Sequence, residues 1–195
     1  MHADGETDGG SASEPSAEPD PPEPGSLRGV PARGVPASPP STIVDVRCPT
    51  SGGESIDPDW IRDRANAVID RVAAGQDVNI TRCTVRIVDD AEMSAAHQRF
   101  SRVSGPTDVL TFVSDAGDGL EIDLLACLDE ASRRVASFEH DATHELLLYV
   151  VHGVLHAVGH DDHDPESHAR MHAEEDRLLT EIGVGPVYRV EGGDG

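Results

Sequence analysis

The sequence has few aromatic residues, few cysteines and no long apolar run. Phe, Trp and Tyr make up 3% of the 195 residues, and no apolar stretch approaches the length that crosses a bilayer. The first ten residues also lack the basic and apolar regions of a signal peptide. The 3 cysteines are scattered and form no paired framework. These absences predict a reduced, cytoplasmic protein that does not enter a membrane.

Lysine is absent altogether, and all 15 basic residues are arginines. The sequence also contains 37 Asp and Glu residues, so its formal net charge is −22 at pH 7. Proteins bind nucleic-acid phosphates mainly through Lys and Arg, so this charge counts against a nucleic-acid function. The objection weakens if arginines cluster on one face, and the candidates for such a cluster are Arg82, Arg86, Arg99 and Arg102.

Residues 1–40 differ in composition from the rest of the chain. They consist largely of Pro, Gly, Ser, Ala and acidic residues and contain almost no large apolar side chain. Such a segment cannot bury enough apolar surface to offset its ordering entropy. We therefore predict a disordered acidic tail, which serves either for recognition or, as we favour, as a solvated extension. A single folded domain is expected over residues 41–186, followed by a short C-terminal tail over 187–195.

The rest of the sequence mixes strand and helix patterns without strict alternation. Alternating or β-branched apolar stretches predict strands at 41–48, 77–90, 106–112 and 120–128. Helical periodicity predicts helices at 58–75, 89–100, 129–140, 142–158 and 165–183. Asp57 and Pro58 form a typical N-cap followed by proline at the first helical position. The predicted fold class is α+β, with a small mixed four-stranded sheet packed against about five helices in one domain.

Four histidines and two aspartates crowd the stretch HGVLHAVGHDDH, residues 152–163. In a helix, His152 and His156 lie on the same face, where two imidazoles can reach one ion about 2.1 Å from each nitrogen. Gly159 can adopt the left-handed conformation and turn the chain back. A third ligand from the following HDDH then completes the three-ligand pattern of catalytic zinc. The alternative is a solvated histidine-rich loop that binds metal only adventitiously.

The same histidine spacing occurs in the H-E-x-x-H motif of zinc proteases, where the glutamate is the general base. Here Gly153 occupies the position of that glutamate. A protease is therefore disfavoured. The motif identifies no catalytic base, which has to come from elsewhere in the chain or from the substrate.

The motif HGVLHAVGHDDH resembles the H-G-x-L-H-L-x-G-Y-D-H signature of the YbeY family, bacterial endoribonucleases of ribosomal RNA maturation. VRIVDDAEM, PTDVLTF, ACLDEA and HELLLYVVHG also recur in the family's order, so the resemblance extends over residues 43–184. It implies that residues 41–186 form an α+β domain with one zinc ion per chain, bound by three histidines. It also implies metal-dependent cleavage of single-stranded RNA, in 3′-end maturation of small-subunit ribosomal RNA and in ribosome quality control. The implied partners are ribosomal RNA, the small ribosomal subunit and its assembly factors, with no DNA and no membrane.

The first departure from the family pattern concerns the third metal ligand. The family's third histidine falls on Asp162, and Met171, nine residues later, supports this register without an inserted residue. We favour Asp162 as the third ligand beside His152 and His156, with His163 as the alternative if the loop shifts by one residue. A carboxylate ligand adds negative charge and makes the metal a weaker Lewis acid.

The second departure concerns an arginine that follows an aromatic residue ahead of PTDVLTF in the family. Here Phe100 is followed by Ser101, and Arg102 comes next. We transfer no catalytic role to Ser101. Arg102 is predicted only as a candidate contact for RNA phosphate.

A ribosome-assembly factor with a mainly structural metal and little nuclease activity is the alternative function. A structural zinc site tends to be closed by four protein ligands, whereas a catalytic site keeps an open position. A general metallohydrolase acting on a small substrate is a third, weaker candidate. The ligand count of the site, and RNA cleavage with and without a chelator, distinguish the three.

Overall fold

The computed structural model describes residues 42–48, 56–136 and 140–186. All of these residues belong to one compact unit. The tails predicted at 1–40 and 187–195 lie outside the described residues.

The sheet contains four strands in the order β1, β2, β4, β3. Their bounds are Ile43–Arg47 for β1, Ile80–Val88 for β2, Val109–Asp115 for β3 and Leu120–Cys127 for β4. The first three strands in this order are parallel, and β3 joins the edge antiparallel to β4. β3 begins three residues later than predicted: Pro106 has no N–H to donate to a strand ladder, and the Asp108 carboxylate accepts from the Thr107 hydroxyl and the Val109 N–H. The mixed sheet confirms the predicted one.

The described residues also form five helices, which confirms the α+β class. Their bounds are Pro58–Gln76 for α1, Asp90–Phe100 for α2, Leu128–Val135 for α3, Ala142–Ala157 for α4 and Pro165–Glu181 for α5. Four of them begin behind an aspartate whose carboxylate accepts a hydrogen bond from a first-turn N–H. Among the described residues, no helix is both long and apolar enough to span a bilayer.

The two faces of the sheet carry cores of different size. The main core lies between one face and α1, α4 and α5, and α4 contributes an almost continuous apolar surface to it. The opposite face is covered at one end by α2 through a small cluster of Val88, Met93, Leu125 and Cys127. Because α4 and α2 lie on opposite faces, side chains of neighbouring strand residues reach different helices.

Gly153 marks the closest approach of α4 to the sheet. A Cβ atom at this position would lie 2.7 Å from a methyl group of Leu124 and 2.9 Å from the hydroxyl of Thr111. Leu124 is fully buried and cannot move aside easily. Glycine is therefore needed here for packing, although it weakens a helix interior by about 1 kcal/mol relative to alanine.

Gly153→Ala is expected to lower the free energy of unfolding by about 1–2 kcal/mol, because the overpacking cost exceeds the gain in helix propensity. Gly75→Ala is the matched control, since a Cβ atom at that position in α1 meets nothing within 4 Å. This control should stabilise the protein slightly. Urea unfolding of the two variants measures both effects, and equal stabilisation by both would show that α4 does not approach the sheet this closely.

Candidate metal centre

Two histidines at the C-terminal end of α4 face the same point. His152 and His156 are separated by one helical turn, and their Nε2 atoms lie 3.0 Å apart. The two rings are nearly perpendicular, with their centroids 4.5 Å apart. Both side chains are partly exposed, so the point that they face is accessible from solvent.

The hydrogen bonds on the far side of each ring determine where the protons are. His152 Nδ1 lies 2.7 Å from a carboxylate oxygen of the fully buried Glu175, and His156 Nδ1 lies 3.0 Å from the backbone carbonyl of His160. These oxygens accept, so both Nδ1 atoms carry the hydrogen. In the neutral rings both Nε2 atoms then present lone pairs toward the same point, where a metal ion or a proton can bind.

A glycine turn brings the next segment back across the end of α4. Gly159 has φ +100°, and the His160 N–H donates to the carbonyl of Leu155 while the Gly159 N–H donates to that of His156. This pair of bonds is a Schellman motif, which ends helices with a left-handed glycine. The sequence prediction of a turn at Gly159 is confirmed, and the turn places Asp162 beside the two imidazoles.

Asp162 supplies a third donor atom to the same point. Its Oδ2 lies 3.7 Å from His152 Nε2 and 3.6 Å from His156 Nε2. The circle through these three atoms has a radius of about 2.0 Å, which matches zinc bonds to imidazole nitrogen and carboxylate oxygen. One ion can therefore contact all three atoms with little movement of the side chains.

His163, the alternative third ligand, points elsewhere. Its side chain is 83% exposed, and its Nδ1 lies 2.6 Å from Asp161 Oδ1 and 3.4 Å from Asp162 Oδ1. Asp161, Asp162 and His163 form a second group of potential ligands, but that group shares Asp162 with the first. The structure thus brings Asp162 rather than His163 to the histidine pair.

The charges around the site favour positive charge near His152 and an ionised Asp162. Burial lowers the pKa of His152, but its hydrogen bond to Glu175 and the charges of Glu175, Asp108 and Asp162 outweigh burial, so the pKa lies above its usual value. Burial raises the pKa of Asp162, and the combined attraction of His156, His152 and His163 outweighs it, so that pKa lies below its usual value. Positive charge is stabilised at the point where the three donors meet.

Glu175 is the residue of this site that the sequence motif did not reveal. It lies on α5, and its two carboxylate oxygens accept hydrogen bonds from His152 Nδ1 and from His172 Nδ1, each at 2.7 Å. The sequence could have indicated it through helical spacing, because Glu175 falls on the same buried face of α5 as Met171 and Leu178. A carboxylate buried on such a face needs hydrogen-bond partners.

The four arginines proposed to form one cluster lie on β2, at the end of α2 and in the loop that follows α2. Arg82 and Arg86 project from β2 to the sheet face opposite α4, because the alternate residues Cys83, Val85 and Ile87 fill the main core. Arg82 lies 3.7 Å from a glutamate and Arg86 lies 2.9 Å from another. These two side chains therefore do not face the histidine pair.

The other two arginines lie at the C-terminal end of α2 and in the loop that follows. Arg99 and Arg102 are exposed, and within the described part of the chain no carboxylate is at ion-pair distance from either. The Arg99 guanidinium lies 5.1 Å from the centroid of the Phe100 ring, which is 56% exposed. Arg102 has φ +60°, a left-handed conformation that is uncommon outside glycine. Two unpaired cations and an exposed aromatic ring thus lie within a few residues of each other.

Comparison with known proteins identifies the family of this chain. Residues 50–183 match the sequence model of the family described as Endoribonuclease YbeY. The Endoribonuclease YbeY of Mycobacterium tuberculosis (strain H37Rv) is 34% identical over 123 residues, which cover 56% of this chain and 70% of the relative. That of Corynebacterium diphtheriae is 31% identical over 144 residues, which cover 67% of this chain and 72% of the relative.

Proposed function

The chain belongs to the YbeY endoribonuclease family, and on this basis we propose that it cleaves single-stranded RNA with one zinc ion held by His152, His156 and Asp162. The observation that carries the proposal is the convergence of three donor atoms at one point, two of them imidazole nitrogens whose hydrogens are held on the far side of the ring. Imidazole and carboxylate ligands suit zinc well.

Three protein ligands leave a coordination position for the substrate. Among the described residues, the group at this point contains His152, His156 and Asp162 and no fourth His, Cys, Asp or Glu. Structural zinc sites are usually closed by four protein ligands, so the donor set is that of a catalytic site. This count favours an enzyme over an assembly factor with a structural metal.

The protein groups around the site have distinct roles in the proposed reaction. Bound zinc supplies Lewis-acid polarisation of a phosphoryl oxygen and lowers the pKa of water. Glu175 and the His160 carbonyl hold the two imidazoles in the ligand tautomer and fix their orientation. Asp162 adds negative charge, which makes this centre a weaker Lewis acid than one with three neutral imidazoles. The nucleophile in this proposal is either a water molecule or the 2′-hydroxyl of the RNA itself.

A polar cleft beside α4 offers space for the RNA backbone. One of its lining residues, Tyr149, lies on α4 one helical turn before His152. The full lining consists of Pro106, Thr107, Asp108, Glu130, Arg134 and Tyr149. Asp108 is near enough to His152 to contribute to its raised pKa, so the cleft adjoins the metal centre. We propose that nucleotides flanking the cleaved phosphate lie in this cleft.

The proposed substrate is ribosomal RNA. The support is the family itself, whose resemblance implies 3′-end maturation of small-subunit RNA and ribosome quality control. The small ribosomal subunit and its assembly factors are the corresponding partners, in the cytoplasm. Residues 41–186 form the domain that performs this function in our proposal.

Cleavage of a single-stranded RNA by the full chain tests the proposed activity. We expect a chelator to abolish cleavage and added Zn²⁺ to restore it. In the proposed mechanism the metal ion is the group that stabilises negative charge on the phosphate. The same sequence annealed into a duplex is the control and should resist cleavage. Cleavage that persists in the chelator would remove the metal from the mechanism, whereas zinc binding without any cleavage would favour the assembly factor.

Arg99 and Arg102 are proposed to contact RNA phosphates. Replacing both with Ala should weaken binding of single-stranded RNA roughly tenfold and reduce the slope of its salt dependence, since each phosphate contact releases counterions. Zinc binding should not change. The matched control is Arg82→Ala combined with Arg86→Ala, because those two side chains already lie at ion-pair distance from Glu121 and Glu92. Equal losses in both double variants would mean that the effect is one of total charge only.

A further inference from the structure

A second pair of histidines on α5 repeats the geometry of the pair on α4. His168 and His172 are one helical turn apart, and their Nε2 atoms lie 3.0 Å from each other. Their ring centroids are 4.1 Å apart with an interplanar angle of 83°, against 4.5 Å and 81° for His152 and His156. Two nitrogens at this separation can reach one ion at about 2.1 Å each.

The same buried carboxylate orients both pairs. Glu175 is fully buried and accepts from His152 Nδ1 with one oxygen and from His172 Nδ1 with the other, at 2.7 Å in each case. The hydrogen of His172 is therefore on Nδ1, and its Nε2 presents a lone pair toward His168. A carboxylate behind the ring is the usual support of a metal-binding histidine, because it fixes the tautomer and raises ligand basicity.

His168 completes the pair from the solvent side. It is exposed, so its Nδ1 can exchange a hydrogen with water while its Nε2 becomes a ligand. Without an ion, the His168 Nε2–H donates to His172 Nε2 and accounts for the 3.0 Å contact. With an ion, that hydrogen moves to Nδ1, where water accepts it. The pair can thus change from a hydrogen bond to a pair of ligands without a change of rotamer.

From these observations we infer that His168 and His172 form a second site for a divalent transition-metal ion that prefers imidazole, such as Zn²⁺. The protein gives this site two ligands, and water occupies the remaining positions. In the described part of the chain, no third His, Cys, Asp or Glu joins the pair in a ligand group. The second site therefore binds more weakly than the first and exchanges its ion more readily.

The two sites are linked but are not a two-metal catalytic cluster. Paired catalytic ions lie about 3.5–4 Å apart and share ligands. Here a complete imidazole ring separates each ion from Glu175, and the carboxylate lies between the rings. When an ion binds His172, the Nδ1–H of that ring becomes a stronger hydrogen-bond donor to Glu175. The carboxylate then carries less negative charge on the oxygen that accepts from His152. Filling the second site should accordingly weaken Zn²⁺ binding at the first.

Zinc stoichiometry of the full chain tests this inference without any RNA assay. Metal-free protein is dialysed against increasing Zn²⁺ up to millimolar concentration, and bound zinc is measured by elemental analysis. His168→Ala should bind one equivalent less than the unaltered protein, and His168→Gln should agree with it. His156→Ala should lose the tight equivalent and keep the weak one, which separates the two sites.

His144→Ala is the matched control, since His144 is a surface histidine whose ring nitrogen contacts Asp141 and no other histidine. It should bind as much zinc as the unaltered protein. The inference is overturned if His168→Ala binds the same amount of zinc as the unaltered protein at every concentration. It is also overturned if His144→Ala loses as much as His168→Ala, because the weak binding is then general to the surface histidines.

Discussion

His156→Ala is expected to abolish tight zinc binding and to reduce RNA cleavage to the level seen with a chelator. The variant removes one of three donor atoms and leaves His152 and Asp162 alone around the ion. Loss of a residue that only orients a ligand costs about 10–100-fold in metal affinity or activity, so loss of a ligand should cost at least about 100-fold. Zinc affinity by competition with a chromophoric chelator and single-turnover cleavage measure the two effects.

The fold should tolerate this change, which makes the result interpretable. His156 lies in the last turn of α4, is partly exposed and contributes no side chain to the main core. Thermal unfolding of the metal-free protein should therefore change little. His144→Ala, at the other end of the same helix, controls for loss of a histidine and should retain zinc and cleavage. A His156→Ala protein that still binds zinc tightly would show that the ion is held elsewhere.

Local patterns were sufficient to predict the histidine pair and the turn after it. The spacing of His152 and His156 matches the helical repeat, and Gly159 can adopt a positive φ at low cost. The cap at Asp57 likewise follows from its neighbours in sequence. These features need only a few consecutive residues, so the sequence predicts them well.

Features that depend on packing between distant segments were not predicted. Glu175 reaches His152 across 23 residues, and the contact exists only because α5 packs against α4. The face on which Arg82 and Arg86 lie depends on which side of the sheet α4 covers, and strand alternation alone does not decide that. The residue that orients a metal ligand can therefore be identified only once the tertiary fold is known.

The identity of the third ligand depends both on local sequence and on the fold. Sequence register selects Asp162 over His163 by one residue, and these two consecutive side chains point to different partners. The Schellman turn at Gly159 fixes the direction of the chain after α4, and so it fixes which residue of the loop lies beside the two imidazoles. The hydrogen bonds from the N–H groups of Asp162 and His163 to Asp161 Oδ1 then hold the loop in this register.

Substitutions at the two candidate positions should therefore have opposite outcomes. Asp162→Ala is expected to lower zinc affinity and RNA cleavage by about 100-fold or more, because it removes a donor atom. His163→Ala should change both by less than about twofold, since its exposed side chain pairs mainly with Asp161 and lies 3.4 Å from Oδ1 of Asp162, the oxygen that does not face the histidine pair. The reverse pattern, with zinc lost in His163→Ala only, would mean that the loop shifts by one residue when metal binds.

Asp162→His adds a test of what the carboxylate does to the chemistry. It gives the site three neutral imidazole ligands, which is the set that the family resemblance implies. Zinc should remain bound, and the centre should carry one more unit of positive charge than with Asp162. A more positive centre stabilises the developing charge on the phosphate more strongly, so single-turnover cleavage should be faster than in the unaltered protein. Slower cleavage with zinc fully bound would indicate that Asp162 has a second role, as an acceptor for a proton of the nucleophile.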